Sequence, residues 1–152
     1  MNALRWLLRL VAAGGLGIDV YVHWHLAHDY DSLTGPGSPH VSQGQLFRVE
    51  AGLALVALVL VLLVRHRWAG LSALLVAGGG AAVVVLYRYL NVGAFGPVPN
   101  MYEPGWYTEK TLSVVAEAIG ALAALIYLLL PTRAEVSGGS HRENHALVAG
   151  GG

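Results

Sequence analysis

Apolar residues gather in this chain into four long blocks rather than narrow stripes. They cover about residues 6–26, 46–64, 69–90 and 111–130. Each is close to the ~20 residues a helix needs to cross a hydrocarbon core. The second block contains AGLALVALVLVLLV, and Pro131 stops the fourth. None alternates with the period of two that barrel strands show, and inside lipid the alternative is the helix. The pattern predicts an all-α integral membrane four-helix bundle over residues 1–130. Residues 131–152 are rich in Gly and polar side chains and are expected to form a flexible cytoplasmic tail. His141 and His145 stand four apart in that tail, where a solvated role is expected because the segment is a poor helix former. The first block has a basic start, like a signal peptide. Arg9 interrupts it and no convincing A-x-A site follows, so it is read as a retained helix.

Basic residues in short loops orient such a bundle. Arg5, Arg9, Arg65, Arg67, Arg133 and Arg142 share one side with the N-terminus, whereas Arg48, Arg88 and Lys110 stand at the other helix ends. This places both termini in the cytoplasm of a cell or bacterial inner membrane. The two longer loops, about 28–45 and 91–110, then face outward. A tight RHRW turn joins the second and third helices.

Composition agrees with that placement. Of 152 residues, 55% are hydrophobic and 12% charged, against about 25% charged in an ordinary soluble domain. Nine cations and nine anions leave no basic stripe for a nucleic acid. The absence of Cys removes disulfides, thiolate metal sites and Cys nucleophiles together. The expected surroundings are the lipid bilayer, with a homo-oligomer or a partner membrane subunit as the protein contact.

Ionisable groups cost about 2.5–3.5 kcal/mol at a helix centre in lipid, so their positions are informative. Asp19 and Glu117 each fall about 9 Å inside the outer boundary, counted at 1.5 Å per residue. Glu50 and Arg88 lie shallower, so every helix brings one such group to the outer third. Arg9 stands alone in the inner half and is expected to snorkel to the headgroups. Ala12, Gly15, Asp19 and His23 share one helical face, and Asp19 and His23 are i, i+4 neighbours. Ser113, Glu117, Gly120, Ala121 and Ala124 share another, whose small residues point Glu117 into the bundle. Gly78, Gly79 and Gly80 mark either close packing or a flexible point. The cluster Asp19, Glu50, Arg88 and Glu117 carries excess negative charge. One carboxyl keeps a proton, a cation sits there, or a group turns to water. The plain interpretation is an interhelical salt-bridge network that sets helix register. The sharper one is a site for a proton, metal or polar ligand.

Residues 21–31 read YVHWHLAHDYD, the densest donor cluster in the chain. Imidazole and carboxylate suit divalent transition metals. His23, His25, His28 and Glu50 are the candidate ligands, although His23 and His25 point about 200° apart on a continuous helix. The run superficially resembles the HxHxDH motif of metallo-β-lactamase-type hydrolases, but Ala27 stands where that motif has Asp. Haem is not expected, because His66, the His of another helix region, lies at the opposite membrane face. A headgroup-level belt of Tyr21, Trp24, Tyr30 and the histidines is the structural alternative.

The second outer loop, VGAFGPVPNMYEPGWYTEK, combines fixed turns with aromatic residues. Tyr102, Glu103 and Trp106 could form a lid over the bundle mouth, with Glu103 reaching the polar cluster. Thr108 is the expected N-cap of the fourth helix. In plan the chain resembles small bacterial four-helix inner-membrane proteins of the DoxX-like kind over about residues 5–130. The resemblance is one of topology and carries over no functional residue. The expected function is a non-catalytic accessory or oligomeric subunit with a polar cluster in its outer half. The alternative is a metal- or proton-binding protein at the outer face, with a small transporter or channel and a quinone-linked oxidoreductase as further readings.

Overall fold

The computed structural model describes residues 3–37 and 39–131, and the tail predicted over 132–152 lies outside the described residues. Four helices follow in order: α1 (Ala3–Leu26), α2 (Gln43–Leu63), α3 (Arg67–Tyr89) and α4 (Thr108–Leu129). Among the described residues there is no strand, only isolated bridges joining Thr34 to Ser42 and Phe95 to Val98.

Each helix begins two or three residues before its apolar block, because caps rather than hydropathy set helix ends. At α2 the Ser42 side chain accepts from the Gln45 backbone N–H at 3.0 Å, and Gln45 Oε1 accepts from the Ser42 N–H at 2.9 Å. This reciprocal box makes the polar Gln-Gly-Gln turn helical. His66 caps α3 through its ring nitrogen. The expectation for α4 is corrected. Tyr107 occupies its N-cap without a side-chain cap bond, and Thr108 is the first helical residue.

Helices α2, α3 and α4 are long and apolar enough to cross a membrane. Helix α1 is as long, but it carries Arg9 and Asp19 within its length and buries both. The core is built from small residues. Ala12, Ala54, Ala73 and Ala77 are buried, while Leu53, Leu63, Leu75 and Leu129 are exposed. Small side chains inside let the helix backbones approach. The closest approach joins α1 to α4 at Gly15 and Gly120. Helix α1 packs mainly between α4 and α2, α3 packs on α4, and α2 and α3 meet more loosely.

Arginines close the end that holds the α1 N-terminus. Arg9 is buried and donates from Nε to the Val61 carbonyl at 2.7 Å and from Nη2 to those of Leu62 and Val64 at 3.1 and 2.9 Å. Arg5 donates to the carbonyls of Leu130 and Pro131, and Arg67 to that of Leu128. The last carbonyls of a helix lack intrahelical donors and carry the negative dipole end, so cations belong there. The expected snorkelling of Arg9 is therefore replaced by capping of α2.

The two longer loops, α1–α2 and α3–α4, pack together at the other end. The Val41 N–H donates to the Pro97 carbonyl at 3.3 Å, and the hydroxyls of Tyr30 and Tyr107 lie 3.1 Å apart. Arg48 grips Asp31 with two bonds of 2.7 Å, which ties the first loop to α2.

Candidate functional site at the long-loop end of the bundle

Asp19, His23 and Glu117 meet between α1 and α4. The two carboxylates are fully buried and His23 is 9% exposed. The i, i+4 spacing on α1 sets His23 Nδ1 2.5 Å from Asp19 Oδ1 and 3.2 Å from the Asp19 carbonyl. On α4 the same spacing lets the Ser113 hydroxyl donate to Glu117 Oε1 at 2.8 Å. One ligand atom from each of Asp19, His23 and Glu117 lies within 4.8 Å of the others. Asp19 Oδ2 and Glu117 Oε2 are buried without hydrogen-bond partners, as is Glu50 Oε1 on α2.

Glycines create the room for this arrangement. A Cβ at Gly15 would sit 2.5 Å from the Ala116 carbonyl oxygen, so the α1–α4 crossing excludes side chains there. A Cβ at Gly80 would stand 3.0–3.2 Å from the Glu117 carboxyl group. The Gly78–Gly80 run is thus a close-packing point at Gly80, which clears space for Glu117, whereas Gly79 has open space at its Cβ position.

The remaining expected residues divide. The structure does not bring His25 and His28 to His23. His25 stacks on Tyr21 with ring centroids 5.7 Å apart, and His28 is 92% exposed, with Nδ1 4.0 Å from Asp31 Oδ2. Helix α1 ends at Leu26, so His28 lies on a turn beyond it. Arg88 does not balance the carboxylates. Its guanidinium lies 5.1 Å from the centroid of the Tyr89 ring and 5.8 Å from that of Trp106, and among the described residues it forms no ion pair. Lys110 also stands over Trp106 and donates to the Glu103 carbonyl. The buried cluster therefore holds two carboxyl groups and one imidazole, with half-buried Glu50 on the same cavity wall as His23.

Glu103 does not reach that cluster. Its carboxylate accepts from the Gly105 N–H at 3.0 Å, and its own N–H donates to the Tyr87 carbonyl at 3.2 Å. Tyr102 is fixed through its N–H to Asn100 Oδ1 at 3.0 Å, and Trp106 stands between the two cations. Of the three proposed lid residues, Glu103 lines the cavity described next.

A cavity of about 570 Å³ lies beside the cluster. Its walls come mainly from α2 and α3, with His23, Glu50 and Ser113 as polar points along its length and Val98, Met101 and Tyr107 at the outer end. Phe47 stands edge-on to His23 with centroids 5.2 Å apart at 81°. Sequence reasoning missed Phe47 and the cavity itself, and it marked Gly80 as part of a close-packing or flexible run without linking it to Glu117. The face shared by Ser113 and Glu117 was a usable signal for their contact, whereas no sequence spacing links Phe47 or Gly80 to the cluster.

Outside the helices, the Arg48 guanidinium beside Asp31 holds its carboxyl below the usual carboxylate range. Burial, reinforced by the bond to Tyr30, pushes the Tyr107 phenol up.

No family model matches the chain, and neither a curated protein nor a solved structure matches it.

Proposed function

We propose that this is a four-span membrane protein, with both termini cytoplasmic, whose outer half holds a divalent transition-metal ion on Asp19, His23 and Glu117. The observation that carries the site is the charge count. The buried carboxyl groups of Asp19 and Glu117 face one imidazole, half-buried Glu50 adds a buried oxygen without a partner, and Arg88 and Lys110 stand over Trp106. Unpaired negative charges in a low-dielectric interior are costly, so the group takes up either protons or a cation. One divalent ion is such a cation, and two carboxylates with an imidazole suit it. Glu50 lines the neighbouring cavity with His23 and is not one of the three converging ligand groups.

Membrane insertion is supported by the inverted packing, with Ala inside and Leu outside. The polar residues of α1 face the interior, which makes a fourth span compatible with lipid. The capping arginines at the α1 N-terminal end support its cytoplasmic placement.

The test is elemental analysis of the full chain purified in mild detergent. The expectation is about one transition-metal ion per chain, lost in Asp19→Asn and in Glu117→Gln. Adding the ion to metal-free protein at ~100 times its Kd should raise stability by about 2.7 kcal/mol. Absence of bound metal, with melting unchanged by chelator or added metal, overturns the metal site and leaves the cluster as a protonated structural element of an accessory subunit.

A further inference from the structure

We infer that the cavity between α2 and α3 binds the head of an isoprenoid quinone or quinol whose tail leaves between these helices into the lipid. The cavity is long. It follows α2 from Gln43 to Leu53 and α3 from Leu75 to Tyr87, or about 15–18 Å at 1.5 Å per residue. Its volume of about 570 Å³ lies within the range of small-molecule sites, roughly 300–1,000 Å³. It lies between α2 and α3, which meet less closely than α1 with α2, α1 with α4 or α3 with α4, so an occupant can enter sideways from the membrane.

The polar groups select the kind of head. Nδ1 of His23 is engaged by Asp19, which leaves Nε2 as the ring nitrogen available to the cavity that His23 lines. Glu50 lines the same wall and has a buried oxygen without a partner. Together they can exchange hydrogen bonds with a carbonyl or hydroxyl. An anionic phosphate would instead meet Glu50 and Glu103, with Asp19 and Glu117 close behind. Arg88 does not line the cavity; Lys110 does, but its ammonium donates to the Glu103 carbonyl and stands over the Trp106 ring. Charge therefore favours a neutral head over a phospholipid. Phe47 and Tyr87 supply aromatic walls for a planar ring, and Leu53, Leu75 and Val76 supply an apolar path for the tail. The inference concerns binding and holds whether the neighbouring cluster carries a metal ion or protons.

The test uses the full chain in nanodiscs and a photoreactive azido analogue of decyl-ubiquinone. Labelling should map to peptides containing Phe47 or Tyr87 and be competed by unlabelled decyl-ubiquinone. Gly79 lines the cavity with nothing within 4 Å of a Cβ position, so Gly79→Leu fills the cavity without a backbone clash. It should reduce labelling at least tenfold. Gly52 also has open space but does not line the cavity, and Gly52→Leu should label normally. Glu50→Gln should weaken binding by several fold while the metal content of the same samples is read separately. Equal labelling of Gly79→Leu, or full competition by phosphatidylglycerol, overturns the assignment.

Discussion

Gly15 of α1 lies so close to Ala116 of α4 that a Cβ on the glycine would sit 2.5 Å from the alanine carbonyl oxygen. The obstacle is backbone, which cannot rotate aside. One turn further along α1 stands Asp19, and one residue beyond Ala116 stands Glu117. The crossing that excludes a methyl group is therefore the one that brings the two buried carboxyl groups together.

Gly15→Ala should consequently lower stability by about 1–3 kcal/mol, the usual cost of overpacking, and should loosen the cluster. Gly14 has nothing within 4 Å of its Cβ position. Gly14→Ala should leave the melting temperature unchanged or raise it slightly, since Ala favours the helix by about 0.5–1 kcal/mol. Thermal melts of both variants in the same detergent check the contrast. Equal behaviour would show that the α1–α4 contact is not tight.

Arg9→Met should destabilise the bundle by about 1.5–3 kcal/mol, the scale of a lost charge-assisted hydrogen bond. The carbonyls of Val61, Leu62 and Val64 lose their donor. Methionine keeps much of the packing volume, so the loss reports the bonds. Hydrogen exchange should quicken at the end of α2 before any other segment opens. A uniform change along the chain would count against local capping.

Gly80→Ala separates site geometry from fold. Its methyl would meet the Glu117 carboxyl group at 3.0–3.2 Å, so that side chain must shift by a few tenths of an ångström. Metal affinity should fall about tenfold or more, since ligand placement is exacting, while the melting temperature of metal-free protein changes little. Titration of metal-free protein with Mn²⁺ or Zn²⁺ measures the first quantity. Unchanged affinity would move the ligand set away from Glu117.

The Asp31–Arg48 pair predicts an acid-sensitive outer loop. Asp31 has a folded-state pKa below its unfolded value, chiefly through the Arg48 hydrogen bonds. Its contribution is present in full above the unfolded value of about 3.9 and is lost as pH falls through the lower folded value. Hydrogen exchange of the first outer loop should rise below about pH 4, modestly because the pair is partly exposed to solvent. Asp31→Asn should raise exchange already at neutral pH and remove the acid step. An unaltered profile in that variant would place the sensitivity elsewhere.

Much of this was legible in the chain because hydropathy is summed over twenty residues and tolerates local error. Four apolar blocks became four helices. The faces containing Asp19 with His23 and Ser113 with Glu117 followed from helical spacing, because both pairs lie within one element. The helix starts were shifted because caps are set by single bonds, such as the Ser42–Gln45 box, rather than by averages.

Relations between elements were not legible. Counting charges by depth put Arg88 among the carboxylates, yet Trp106 draws it away. Proximity along YVHWHLAHDYD grouped three histidines, yet His25 leaves α1 on another face to stack on Tyr21, and His28 lies beyond the helix end. The sequence by itself determined that the half of the bundle away from the N-terminus would concentrate acids, since periodicity and hydropathy are properties of one helix at a time. Only the tertiary structure decided which acids meet, that Gly80 clears space for Glu117, and that α2 and α3 leave a cavity beside His23. These depend on how four helices cross, and crossings are chosen by contacts between residues far apart in the chain.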